Sequence, residues 1–168
     1  MIAKTLIPLA LANALLVSAP AVPDLLKAPP AIINETISMR TGLYVRTGGV
    51  GDLKHGDIIA MPMNQNAKDY LRDRLGYLAD TMLLKRVVAL PGETVCRHAG
   101  TVTVPGRQVH AERRDSQGTL LPFWTGCHTL LPTEVFVLGD HPASFDSRYF
   151  GPVRISALSG TYREVVSW

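Results

Sequence analysis

The sequence predicts a mainly β domain carrying one inserted helix, set behind an apolar N-terminal segment. Three observations lead there. From Ala31 onward, short apolar runs alternate with Gly, Pro and Asp at roughly the 8–12-residue spacing of an all-β chain. A single stretch, Ala67 to Leu78, instead repeats its apolar residues with helical spacing. Ahead of both, Thr5 to Pro23 runs for nineteen residues without a charge, between Lys4 and Asp24.

That first stretch, within residues 1–23, is close to the ~20 residues a helix needs to cross a bilayer. Its basic start, apolar middle and small residues Ala19-Pro20-Ala21 equally fit a cleaved secretory signal. A buried core helix is the third reading, opposed by Lys4 at its edge and the proline-rich exit. Anchor and signal share one implication, that the rest of the chain works outside the cytoplasm. Residues 24–30, ending in Lys27-Ala28-Pro29-Pro30, form a linker to the domain at 31–168.

Within that domain the expected strands are Gly42–Arg46, Asp57–Met61, Met82–Leu90, Glu93–Arg97, Thr101–Val104, Gln108–Ala111, Glu134–Leu138 and Thr161–Ser167. Turns fall at Val50-Gly51-Asp52, His55-Gly56-Asp57, Pro91-Gly92 and Pro105-Gly106. In the helix, Ala67, Tyr70, Leu71, Leu75 and Leu78 make the apolar face, and Lys68, Asp69, Arg72, Asp73 and Arg74 the polar one.

At 168 residues the chain holds one ordinary domain, and 46% hydrophobic against 18% charged residues excludes a disordered chain. The net charge of +3 comes from scattered basic residues, the longest runs being Lys85-Arg86 and Arg113-Arg114, a pattern that does not point to nucleic acid. Five histidines, His55, His98, His110, His128 and His141, lack metal-ligand spacing, so no metal or cofactor is expected. Cys96 and Cys127 are either a disulfide, which suits an exported chain, or two buried thiols. If joined across 31 positions, they stabilise by on the order of 3–4 kcal/mol in the chain-entropy account.

Three segments carry chemistry: Thr36-Ile37-Ser38-Met39, Lys85 to Glu93, and Gly139-Asp140 with Ser144-Phe145-Asp146-Ser147-Arg148. Alone, each has a structural explanation. Ser38 fits a turn, Lys85 fits the charge that guards an edge strand, and Asp146 with Arg148 fits a loop salt bridge. Together they suggest a serine activated by a lysine. A hydroxyl becomes nucleophilic only when a base takes its proton, and a lysine is a base only when neutral, well below its ordinary value near 10.4. Leu83, Leu84, Val87 and Val88 around Lys85 supply the desolvation that disfavours the ammonium.

In this order and behind an export segment, the three segments resemble the signature boxes of type I signal peptidases, the serine/lysine-dyad proteases that remove leaders at the membrane. The resemblance covers about Ile33 to Val153. It implies the antiparallel β catalytic fold shared by signal peptidases and LexA-like proteins, with Ser38 as nucleophile and Lys85 as general base. Ser144 would then hydrogen-bond the lysine amine, within reach of the Ser38 hydroxyl. Asp146 and Arg148 would lock the loop, with Arg86 as a further partner and Asp146 kept off Lys85, since a carboxylate there would favour the charged amine. The Ser38 backbone N–H would be the first oxyanion donor and the Thr36 side chain the second, unless Thr36 is an ordinary strand residue.

Leu121-Pro122-Phe123-Trp124-Thr125-Gly126-Cys127 and Ser144 to Val153 look most like the TraF-type peptidases of conjugative plasmid transfer. So do two departures from general signal peptidases, the absence of proline after Ser38-Met39-Arg40 and His141 where Asn is usual. That likeness implies a periplasmic enzyme, at or anchored to the inner membrane, that matures a pilin within the conjugative transfer apparatus and also joins its ends in some members. The expected substrate is an exported pilin or leader peptide, bound as an added strand. Ile37, Met39, Met61 and Met82 would line its pockets or fill the core, and Phe123 and Trp124 would meet lipid or cover the core. Alternatives are a general leader-removing signal peptidase and a non-catalytic periplasmic scaffold. A self-cleaving LexA-like repressor fits less well, because the export segment occupies the place of its DNA-binding helices.

Overall fold

The strand MLLKRVVA at Met82–Ala89 sets the plan of the domain, because such a run can be satisfied only with both faces covered and both edges paired. The structure is a computed structural model that describes residues 28–63, 65–76, 78 and 81–168. The segment at 1–23 and residues 24–27 of the linker lie outside these.

In chain order the elements are β1 (Ala31–Asn34), β2 (Gly42–Gly48), β3 (Ile58–Pro62), α1 (Gln65–Leu75), β4 (Met82–Ala89), β5 (Thr94–His98), β6 (Thr101–Val104) and β7 (Arg107–His110). There follow β8 (Gly126–Thr129), β9 (Glu134–Leu138), the four-residue α2 (Ser147–Phe150), β10 (Val153–Arg154), a 3-10 turn at Ile155–Ala157 and β11 (Gly160–Ser167). A seven-stranded sheet has the order β1-β2-β11-β3-β4-β9-β10, and a four-stranded sheet has the order β7-β6-β5-β8. The pairings are antiparallel in both sheets.

β4 lies inside the large sheet, between β3 and β9, so Lys85 does not guard an edge. With the two-residue period of a strand, Lys85 shares a face with Leu83 and Val87. Those two belong to a core cluster with Ile59, Met61, Leu71, Val135, Val137 and Phe150. Between Val87 and Ala89 the register against β9 slips, Val87 facing Val137 and Ala89 facing Phe136. This bulge turns the strand end into a second cluster, where Val88, Ala89 and Phe136 meet Val95 and Val102 of the small sheet.

Three strands escape the sequence reading. These are β1, β8 and the two-residue β10, and β10 is too short for a period to register. The helix begins before Ala67 and stops at Leu75, because Gly76 takes the left-handed φ of +68° that ends helices. α2 replaces what reads as plain loop: the Asp146 side chain accepts from Arg148 N and caps it. Cys96 faces Cys127 across β5 and β8, with Cα atoms 4.0 Å apart, and the two are joined in a disulfide. No helix among the described residues is long and apolar enough to cross a membrane.

Candidate functional site

A chain leaving β1 and returning as β2 must turn within seven residues, and Asn34 organises that turn. Its Nδ2 donates to the carbonyls of Thr36, Met39 and Arg40 at 2.9, 3.1 and 3.0 Å, and its Oδ1 accepts from the Thr36 N–H and hydroxyl at 3.3 and 2.9 Å. Ser38 stands at the apex. Its hydroxyl lies 3.0 Å from Thr36 Oγ1, and since the Thr36 proton goes to Asn34, Ser38 donates and Thr36 accepts. The Ser38 N–H donates to no group among the described residues, as an oxyanion donor requires. Thr36, expected as the second such donor, has its proton committed to Asn34.

Asn34 gave no sequence signal, because a buried asparagine at a strand end reads as a turn former. Asn34→Asp is nearly isosteric but sets a carboxylate against three carbonyls. It should lower the unfolding free energy by about 1–3 kcal/mol in urea denaturation, the cost of buried polar groups losing their partners.

Lys85 is only 2% exposed. Burial pulls its amine down to about 8 from the ordinary 10.5; Asp146 and Asp140 act weakly the other way, and Arg148 adds to the lowering. Among the described residues the amine has no hydrogen-bond partner, and neither does the buried Ser144 hydroxyl. The expected Ser38–Lys85 and Ser144–Lys85 hydrogen bonds are therefore not formed. All three residues nevertheless line one cavity of about 170 Å³ with Thr36, Ile37, Leu71, Leu83, Ala143 and Phe145. The Ser38 hydroxyl has to leave Thr36 before it can pair with the amine.

The loop from Gly139 to Arg148 forms the opposite wall. Asp146 is fully buried and accepts from Gly139 N at 2.8 Å, from Arg148 N at 3.1 Å, and from Arg148 Nε and Nη2 at 2.9 and 2.7 Å. Arg148 also donates to the carbonyls of Pro142 and His141. The loop packs so closely that a Cβ on Gly139 would lie 2.1 Å from Ser144 Oγ and 2.7 Å from the Ser38 carbonyl oxygen. Only glycine fits there. Arg86 does not join this cluster: it clamps Asp140 at 2.8 and 2.7 Å, because it points to the face of β4 opposite Lys85. Those hydrogen bonds hold the Asp140 carboxyl below the usual carboxylate range.

Tyr70 of α1 stacks on Phe145 at 4.7 Å, and Phe145 on Tyr149 at 5.3 Å, which fixes the helix over the cavity. Ile37 and Met39 border a second, more open hollow of about 450 Å³ with Arg40, Thr41, Asp140, His141 and Pro142. Met61 is a core residue, and the half-buried Met82 packs against a neighbouring core cluster. Trp124 packs edge-on against Phe136 and donates Nε1 to the Ser147 carbonyl at 3.0 Å, so it covers the core, while Phe123 stays half exposed beneath Arg113.

The family described as signal peptidase, peptidase S26, matches residues 2–168. A conjugal transfer protein TraF of Agrobacterium fabrum is 32% identical over 149 residues, 81% of this chain and 82% of that one. A plasmid transfer protein TraF of Escherichia coli is 30% identical over 150 residues, 82% of this chain and 84% of that one. Signal peptidase I V of Bacillus subtilis is 34% identical over 91 residues, 47% of this chain and 54% of the relative.

Proposed function

The chain belongs to the signal peptidase S26 family, and on that premise we propose that it is a serine endopeptidase that matures a conjugative pilin at the periplasmic face of the inner membrane. Ser38 is the nucleophile and Lys85 its general base. The observation that carries this reading is a buried, partnerless amine in the same small cavity as an apical serine hydroxyl. Such an amine is costly to keep unless its proton affinity is used.

A pilin segment enters as an extended strand and places its scissile carbonyl over Ser38. The hydroxyl turns from Thr36, gives its proton to Lys85 Nζ and attacks, with the Ser38 N–H facing the developing oxyanion. Lys85 then protonates the departing amine, leaving an acyl-enzyme on Ser38. Water resolves it to a linear chain; the pilin's own N-terminal amine resolves it to a ring. The likeness to TraF proteins favours a pilin over general leaders, and the intact set of Ser38, Lys85, Ser144, Asp146 and Arg148 favours catalysis over a scaffold role.

Mass spectrometry of the pilin of the same transfer system tests the proposal. The wild-type chain should shorten the precursor and Ser38→Ala should leave it whole. A product lighter than the linear one by one water identifies ring closure. Equal processing with both chains overturns the peptidase reading. For the purified wild type, kcat/KM should climb with pH along a limb centred near 8, as the Lys85 amine loses its proton.

A further inference from the structure

We infer that Arg97 is a positioning residue for the Ser38–Lys85 cavity, tying the disulfide-bonded small sheet to the loop that forms the cavity wall. The catalytic part of this inference rests on the peptidase reading above.

Along β5, inward and outward residues alternate, and Arg97 occupies an inward slot beside the inward Val95. Its side chain is 0% exposed, with the guanidinium 5.7 Å from the Phe123 ring and 5.8 Å from the Tyr149 ring. No carboxylate pairs with it among the described residues. Nε and Nη2 are unpartnered, and its one hydrogen bond runs from Nη1 to the carbonyl of Arg148. An unpaired buried cation is costly, and an apolar residue would fill the slot at lower cost.

The acceptor gives the reason. Arg148 lies in α2, where a continuing helix would satisfy its carbonyl with the N–H of residue 152. Residue 152 is proline and has no N–H, so the carbonyl needs an outside donor. Arg97 supplies it, while Trp124 Nε1 and Gly151 N serve the neighbouring Ser147 carbonyl. The same Arg148 grips Asp146, and Asp146 holds Gly139, on which Ser144 and the Ser38 carbonyl pack. Cys96, next to Arg97 in the chain, is bonded to Cys127, so the donor is mounted on a cross-linked pair of strands.

If Arg97 lets go, the grip of Arg148 on Asp146 loosens. The charges that act on Lys85 are Asp146 and Arg148 from the loop and α2, and, from two residues past β9, Asp140, which Arg86 holds. A loosened Asp146 favours the ammonium form, so Lys85 should titrate at higher pH.

Carbon-13 NMR titration of the lysine ε carbons, with Lys85→Met assigning the signal, reads this directly in the full domain and needs no activity. Arg97→Met should move the Lys85 midpoint upward by about half a pH unit or more. Its kcat/KM at pH 8 on the pilin precursor should fall about tenfold or more, the cost of a slightly misplaced catalytic group. Arg97→Lys, which keeps a donor, should recover part of both. A folded Arg97→Met chain with the wild-type midpoint overturns the tie, even if the wild type cleaves pilin. A shifted midpoint in a chain whose wild type cleaves nothing keeps the tie and removes the peptidase reading. Should Arg97→Met fail to fold, the same midpoint in Arg97→Gln, whose short neutral amide cannot span to Arg148, decides the question.

Discussion

Lys85→Met should give a protein that no longer cuts pilin yet resists urea better than its parent at pH 7. On the proposed mechanism this removes the one group among the described cavity-lining residues able to take the Ser38 proton, and turnover should fall by ~10⁴-fold or more, as when an activating residue is lost from a serine protease. The gain in stability has the opposite sign because the same burial that makes the amine a base penalises its charged form. The unfolded amine titrates near 10.5 and the folded one near 8. Below pH 8 both states carry the proton, and the folded state bears the whole penalty of a buried ammonium. Between 8 and 10.5 the folded state binds fewer protons than the unfolded state, so wild-type stability climbs with pH; above 10.5 the penalty is gone. A shift of this size corresponds to about 3 kcal/mol. Methionine fills nearly the same volume without a charge. Urea denaturation should therefore show Lys85→Met about 3 kcal/mol more stable at pH 7, with the advantage fading toward pH 10. Equal stability at pH 7 would mean that Lys85 is solvated and no base of the proposed kind.

That trade explains which parts of this molecule could be read from the chain. Ser38, Lys85, Ser144, Asp146 and Arg148 could be singled out because the proposed chemistry needs particular residue types in a particular order, and seven of the eight expected strands appear within a residue of where alternation puts them. What the chain hid is what only the folded state brings together. Asn34 matters through three carbonyls that converge only once the turn has closed. Arg97 looks like any strand arginine until Pro152, far along the chain, is seen to leave the Arg148 carbonyl without a donor. The parity of β4 decides that Arg86 meets Asp140 while its neighbour Lys85 meets the cavity, and no motif states which face turns inward. The rotamers were illegible too: Ser38 rests against Thr36, with the amine and the Ser144 hydroxyl left unpartnered.

Cutting the Asp146–Arg148 pair should cost far more stability than cutting Arg86–Asp140, although each has two short nitrogen–oxygen contacts. Burial makes the difference. Asp146 and Arg148 side chains are 0% and 4% exposed, those of Arg86 and Asp140 34% and 43%. Asp140 freed of Arg86 is rehydrated, so Arg86→Met should cost no more than about 1 kcal/mol. Asp146 freed of Arg148 is left in a dry site with two backbone N–H groups, those of Gly139 and Arg148, as its remaining partners. Arg148→Met should therefore cost about 3–5 kcal/mol. Restoring neutrality with Asp146→Asn in the same chain should return part of that loss, a coupling a double-mutant cycle in urea measures directly. The loop depends on this pair: Arg148 also holds the Pro142 and His141 carbonyls, and Asp146 holds Gly139 beneath Ser144. Pilin cleavage should accordingly fail in Arg148→Met even where the chain is still folded, and survive in Arg86→Met. Equal costs for the two pairs, or no recovery in the double variant, would mean that the loop is held by its backbone alone and that the buried carboxylate is not what orders the cavity wall.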